Sequence, residues 1–225
     1  MMNADLLPSL RHLVRGLTAV FWGLPTTLLI CVLMSVAEFP RALGCAPPIV
    51  TTGMLLFGVC ELARFQPQER EWQTVLERAQ LLALVNFGLA PFVYFWSRLP
   101  REAYYFQTVL ALAFTGLLFL YQLNFVLQRL VAMLPDETLR ADTRFFTRLN
   151  LALMVTGLVL MGGYHLLAEF KSLPPAVIEL LEIGQTARSR FALVVVLVLV
   201  PVSMTMSLVW KTRDVVLGSV FGPRS

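Results

Sequence analysis

Charged side chains are scarce in this sequence. Asp, Glu, Lys and Arg make up 14% of its 225 residues, while 57% are hydrophobic. A soluble domain carries about 25% charged residues and about 45–50% apolar ones. So little charge cannot keep so much apolar surface in water, and the positive mean hydropathy agrees. An ordinary soluble globular protein is therefore excluded. The net charge of +4 comes without a Lys/Arg run or a basic helix face, so the chain lacks the footprint of a nucleic-acid reader. The three cysteines, Cys31, Cys45 and Cys60, form no CxxC or metal spacing, and an odd number excludes a complete disulfide framework. Cys31 and Cys60 fall in apolar runs and read as small buried hydrophobes. Histidine is scarcer still, with only His12 and His165. The sequence contains no HExxH, GxSxG, P-loop or GxGxxG, and no paired-glutamate motif of an intramembrane protease. No cofactor or metal is expected.

What is present is long apolar runs. A helix needs about 20 predominantly apolar residues to cross the roughly 30 Å hydrocarbon core. Six stretches meet or approach that length: Leu17–Ala37, Pro48–Ala63, Gln80–Trp96, Phe106–Gln128, Leu149–Ala168 and Phe191–Trp210. The first could pass for a signal peptide, since Ser35-Val36-Ala37 resembles a cleavage site. Its run exceeds the roughly 7–15 residues of a signal h-region, so it reads as a transmembrane helix. The expected fold is an all-α integral membrane protein, with residues 1–225 forming one domain: a bundle of about six transmembrane helices with short amphipathic connecting helices. Apolar residues at helical spacing place such connectors at Gln68–Leu82, Pro135–Leu149 and Pro174–Gln185, the last lying on the outer leaflet.

Alternate connecting segments carry twelve Lys/Arg on one side and six on the other. The positive-inside rule then puts both termini in the cytoplasm, and a bacterial inner membrane is the expected location. On this threading Tyr and Trp residues gather near span ends, as interfacial belts do.

Intramembrane charge is costly and marks ion pathways, yet no Asp, Glu, Lys or Arg lies near the centre of a span. That argues against an ion-coupled pump. Uncharged polar residues are the remaining candidates. Asn86, Gln122, Asn124, Ser203, Thr205 and Ser207 all fall in the cytoplasmic half of their spans, whereas Thr51, Thr52 and Thr115 fall in the outer half. Buried amides in hydrocarbon must find partners. Asn86, Gln122, Asn124, Ser203 and Ser207 therefore either hydrogen-bond between helices or line a cytoplasm-facing cavity that binds a substrate. Gln122 and Asn124 are two apart and face different directions, so at most one readily joins a single cavity. Pro25, Pro91 and Pro201 are expected kinks. Pro91 frees the carbonyl of Phe87, next to Asn86. Gly157, Gly162 and Gly163, with Ser203 and Ser207, are expected to allow tight helix packing.

The leading functional expectation is an accessory, scaffold or interaction subunit without a catalytic centre, with membrane lipids and a protein partner or second copy around it. The alternative is a facilitative transporter or channel for a small solute, using the space near Asn86. A membrane enzyme acting on lipids has only Glu38, His165 and Glu169 to suggest it.

Overall fold

The computed structural model describes residues 6–36, 42–66, 68–99, 101–133, 137–169 and 198–221. All elements among them are helices: α1 (Leu6–Val36), α2 (Ala46–Ala63), α3 (Arg70–Leu89), α4 (Pro91–Arg98), α5 (Ala103–Ala132), α6 (Glu137–Glu169) and α7 (Val200–Phe221). Helices are what an apolar chain of this kind must form, because hydrocarbon offers the backbone no outside partner. The stretches Ser9–Met34, Ala46–Ala63, Arg70–Arg98 and Ala103–Ala132 are long and apolar enough to cross a membrane. The expected fifth span lies within α6. Residues 191–197 of the expected sixth span, and the expected outer-leaflet helix at Pro174–Gln185, lie outside the described residues.

Two of the expected connectors lead directly into the helices that follow them, as their sequence suggests. The amphipathic lead-in at Gln68–Leu82 continues into α3, and that before the fifth span continues into α6. The helical path continues past Pro25 and Pro91. α1 runs through Pro25, with the Thr26 hydroxyl donating to the Trp22 carbonyl at 2.6 Å. At Pro91, Ala90 keeps helical angles (φ −54°, ψ −40°) and its N–H still donates to Asn86 O at 2.9 Å. α3 and α4 thus follow one another without a break. Pro201 lies two residues after Leu199, the second of two residues wound as π-helix, a local distortion of the helix beside the proline. Pro47 opens α2, and Gly44, at φ +68°, makes the turn before it.

Two antiparallel hairpins frame the bundle. α1 packs along α2, and α3 packs along α5, with α2 against α3 joining the pairs. α6 covers α5, and α7 lies against α1, α6 and α5. The shared core is mostly aliphatic: Leu17, Val20, Val59, Leu76, Leu123, Leu127, Met154 and Val209 are all fully buried. Close approach of α1 and α2 rests on glycine. A Cβ on Gly16 would lie 2.8 Å from Gly58 O, and one on Gly23 would lie 2.7 Å from Leu55 Cδ2. Of the glycines expected to pack α6, Gly157 is buried, whereas a Cβ on Gly162 or Gly163 would meet nothing within 4 Å. At the far end of the α3–α5 pair, Phe92, Phe95, Tyr104 and Tyr105 stack on one another, with Phe95 and Tyr105 near-parallel at 5.8 Å. The aromatic belt doubles there as a clasp between α4 and α5.

Candidate functional site

Hydroxyls account for much of the polarity within the helices, and most of them are satisfied locally. Thr18, Thr52, Thr108 and Thr212 each donate to the carbonyl four residues earlier at 2.7–2.8 Å. Such back-bonding satisfies the hydroxyl inside its own helix and leaves nothing for a ligand.

The side-chain amides reach between helices, at two separate levels. Asn86, only 7% exposed, meets Thr115 on α5: the Thr115 hydroxyl donates to Asn86 Oδ1 at 2.7 Å, and Asn86 Nδ2 approaches Thr115 O at 3.5 Å. Asn124 of α5, Asn150 of α6 and Thr205 of α7 form a second group, each at 0% exposure. Asn150 Nδ2 donates to Asn124 Oδ1 at 3.1 Å and to Thr205 Oγ1 at 2.9 Å. Asn124 Nδ2 donates to Thr205 Oγ1 at 3.1 Å and to Leu120 O at 2.8 Å, while Thr205 donates to Pro201 O at 2.8 Å. Asn150 Oδ1 has no hydrogen-bond partner.

These positions correct the single polar layer expected in the cytoplasmic half. Asn86 lies about 24 Å along α3, which begins at Arg70. Its partner Thr115 stands about 14 Å along α5 from Asn124. Gln122 occupies yet another place, donating to the Val75 carbonyl of α3 at 3.1 Å. Ser203 and Ser207 face outward from α7, away from the buried group. Asn86, Gln122, Asn124, Ser203 and Ser207 thus do not surround one cavity. Nor is Asn86 turned to the Phe87 carbonyl that Pro91 frees. The Phe87 ring instead covers Gly53 of α2, where a Cβ would lie 3.4 Å from it.

Two groupings are harder to read from sequence. Glu61, 3% exposed near the end of α2, lies 2.8 Å from His12 Nδ1 of α1 and accepts from Arg64 at 2.9 Å. Beside it the Ser9 hydroxyl donates to Phe65 O at 2.6 Å. A buried carboxylate must be paired, and here the pairing ties α1 to the end of α2. Glu61 and His12 are far apart in sequence, and only the side-by-side packing of α1 and α2 joins them. The second grouping is a cleft of about 590 Å³ between α3, α5 and α6, to which Gln122 contributes.

Among the described residues, no three His, Cys, Asp or Glu side chains gather as a metal site. The side chains of Glu38, His165 and Glu169 lie outside the described residues. Together the fold and composition define a helical membrane protein. No protein-family model, curated protein or solved structure matches the chain.

Proposed function

We propose that this chain is an accessory or interaction subunit without its own catalytic centre. In this reading it is a bundle of six transmembrane helices in the bacterial cytoplasmic membrane, with both termini in the cytoplasm. The observation that carries it is the outward face of α7. Ser203 and Ser207, four residues apart, are both exposed there. Small residues at that spacing allow close backbone approach by another membrane helix. The buried amides, by contrast, are engaged inside the bundle. Asn86 with Thr115, and Asn124 with Asn150 and Thr205, are hydrogen-bonded between helices. A solute path past Asn86 draws no support from those contacts.

Extraction in mild detergent, followed by native mass spectrometry, tests the reading. The wild-type chain is expected in a stoichiometric complex, with another membrane protein or a second copy. The double substitution Ser203→Ile, Ser207→Ile is expected to release it as a monomer. A wild-type chain that is already monomeric overturns the reading, as does a double variant whose complex is unchanged.

Orientation has its own check. With Cys31 and Cys60 replaced by serine, Cys45 in the α1–α2 connection remains. A membrane-impermeant maleimide is expected to label it in intact cells. Labelling only after permeabilisation reverses the topology.

A further inference from the structure

Three arginines converge on the cleft between α3, α5 and α6: Arg78 from the first, Arg129 from the second and Arg144 from the third. They come from different helices, so no local sequence pattern brings them together. Arg129 pairs with Glu71, whereas Arg78 and Arg144 have no carboxylate partner among the described residues. All three are exposed and water screens their repulsion, but two unpaired guanidinium groups beside one concavity still attract an anion. Thr143 also belongs to the cleft wall, with its hydroxyl just beneath the surface. It is 1% exposed, and that hydroxyl has no hydrogen-bond partner. A buried hydroxyl left unpaired is costly, and a ligand oxygen would complete it. Planar guanidinium groups and a hydroxyl suit an anion with several acceptor oxygens, above all a phosphate.

We propose that this cleft binds the phosphate of an anionic phospholipid headgroup. Three features favour a lipid over free phosphate. The volume far exceeds one phosphate group. Tyr121 and Phe125 add apolar wall beside the charges, as glycerol and the first acyl carbons would require. The cleft also stands near the bundle end that carries the α5–α6 connection, since Arg129 is three residues from the end of α5 and Arg144 is seven from the start of α6. Basic pockets between membrane helices at headgroup depth are suited to such lipids. This inference is independent of the subunit reading, because α7 contributes no residue to the cleft.

The test uses the full-length, delipidated protein in detergent and native mass spectrometry. Phosphatidylglycerol, phosphatidylcholine and inorganic phosphate are added in separate arms. Phosphatidylglycerol is expected to bind in a saturable one-to-one fashion. Arg78→Gln with Arg144→Gln should weaken it at least about tenfold, since hydrogen bonds to charged groups are being removed. Phosphatidylcholine should bind weakly and equally to both proteins. Thr143→Val should weaken phosphatidylglycerol binding about threefold, with the same melting temperature as wild type. Arg78→Lys with Arg144→Lys should retain an intermediate affinity. If the glutamine variant does not fold, the valine and lysine variants decide. Unchanged phosphatidylglycerol affinity in every folded variant overturns the site. Equal affinity for phosphatidylglycerol and phosphatidylcholine overturns it too. Inorganic phosphate binding as tightly as phosphatidylglycerol overturns the assignment to lipid.

Discussion

Replacing Gly16 by leucine is expected to force α1 away from α2 and to destabilise the bundle more than any single apolar truncation at its surface. Even the first carbon of a side chain at this position would lie 2.8 Å from the Gly58 carbonyl oxygen and 2.8 Å from Leu62 Cγ. The first of these is backbone, which cannot swing aside as a side-chain tip can. Gly16→Ala should therefore cost about 1–3 kcal/mol, the range for overpacking a well-filled contact, and leucine more. Intrinsic propensity works the other way, since alanine favours helix over glycine by about 1 kcal/mol. A second glycine separates the two effects. At Gly88 a Cβ would meet nothing within 4 Å, so Gly88→Ala should be neutral or slightly stabilising. Gly58→Ala should resemble Gly16→Ala, because its Cβ would stand 2.9 Å from Val20 Cγ2 and 3.1 Å from Gly16 O. Once either substitution has parted the helices, the other adds less than its own cost. Unfolding in increasing sodium dodecyl sulfate, followed by circular dichroism, measures all four variants. If Gly16→Ala is as harmless as Gly88→Ala, glycine does not set the α1–α2 distance.

Gly16 also illustrates which parts of this fold are legible in the sequence. It stands one residue before the apolar run that begins at Leu17, next to Arg15, in a stretch that reads as a charged lead-in. Hydropathy marks where a helix is apolar, not where it starts, and α1 begins at Leu6. Nor does hydropathy give the register in which α3 packs on α5, which sets Asn86 against Thr115 and not level with Asn124. It also hid Asn150, which falls at the margin of the run from Leu149 and yet is fully buried. What the apolar runs do convey is the class of fold, the positions of α2 and α5, and the amphipathic lead-ins to α3 and α6. Pairings such as His12 with Glu61, or Arg78 with Arg129 and Arg144, depend on which helices pack together. Single-sequence periodicity has no term for that.

Asn124→Ala is the second substitution expected to have a large effect. Asn124 lies between Asn150 and Thr205, accepting from one at 3.1 Å and donating to the other at 3.1 Å. Its removal breaks both interhelical bonds at once, where each such bond in a membrane protein contributes about 0.6 kcal/mol on average and about 1.7 at most. The larger penalty falls on what remains. Asn150 would keep only its bond to Thr205, with its Oδ1 already unpartnered, in a site with 0% exposure. An unsatisfied buried polar group costs about 1–3 kcal/mol, so a total near 2–4 kcal/mol is expected. Asn150→Ala should cost less: it orphans Asn124 Oδ1, but it also removes the unpartnered Asn150 carbonyl and leaves Asn124 Nδ2 held by Leu120 O and Thr205. The double variant is the sharper measurement. If Asn124 acts by satisfying Asn150, then deleting both costs clearly less than the sum of the single deletions, with a coupling on the order of 1 kcal/mol. Strict additivity, or a cost for Asn124→Ala within about 0.5 kcal/mol of zero, would mean that α5, α6 and α7 are joined by apolar packing alone.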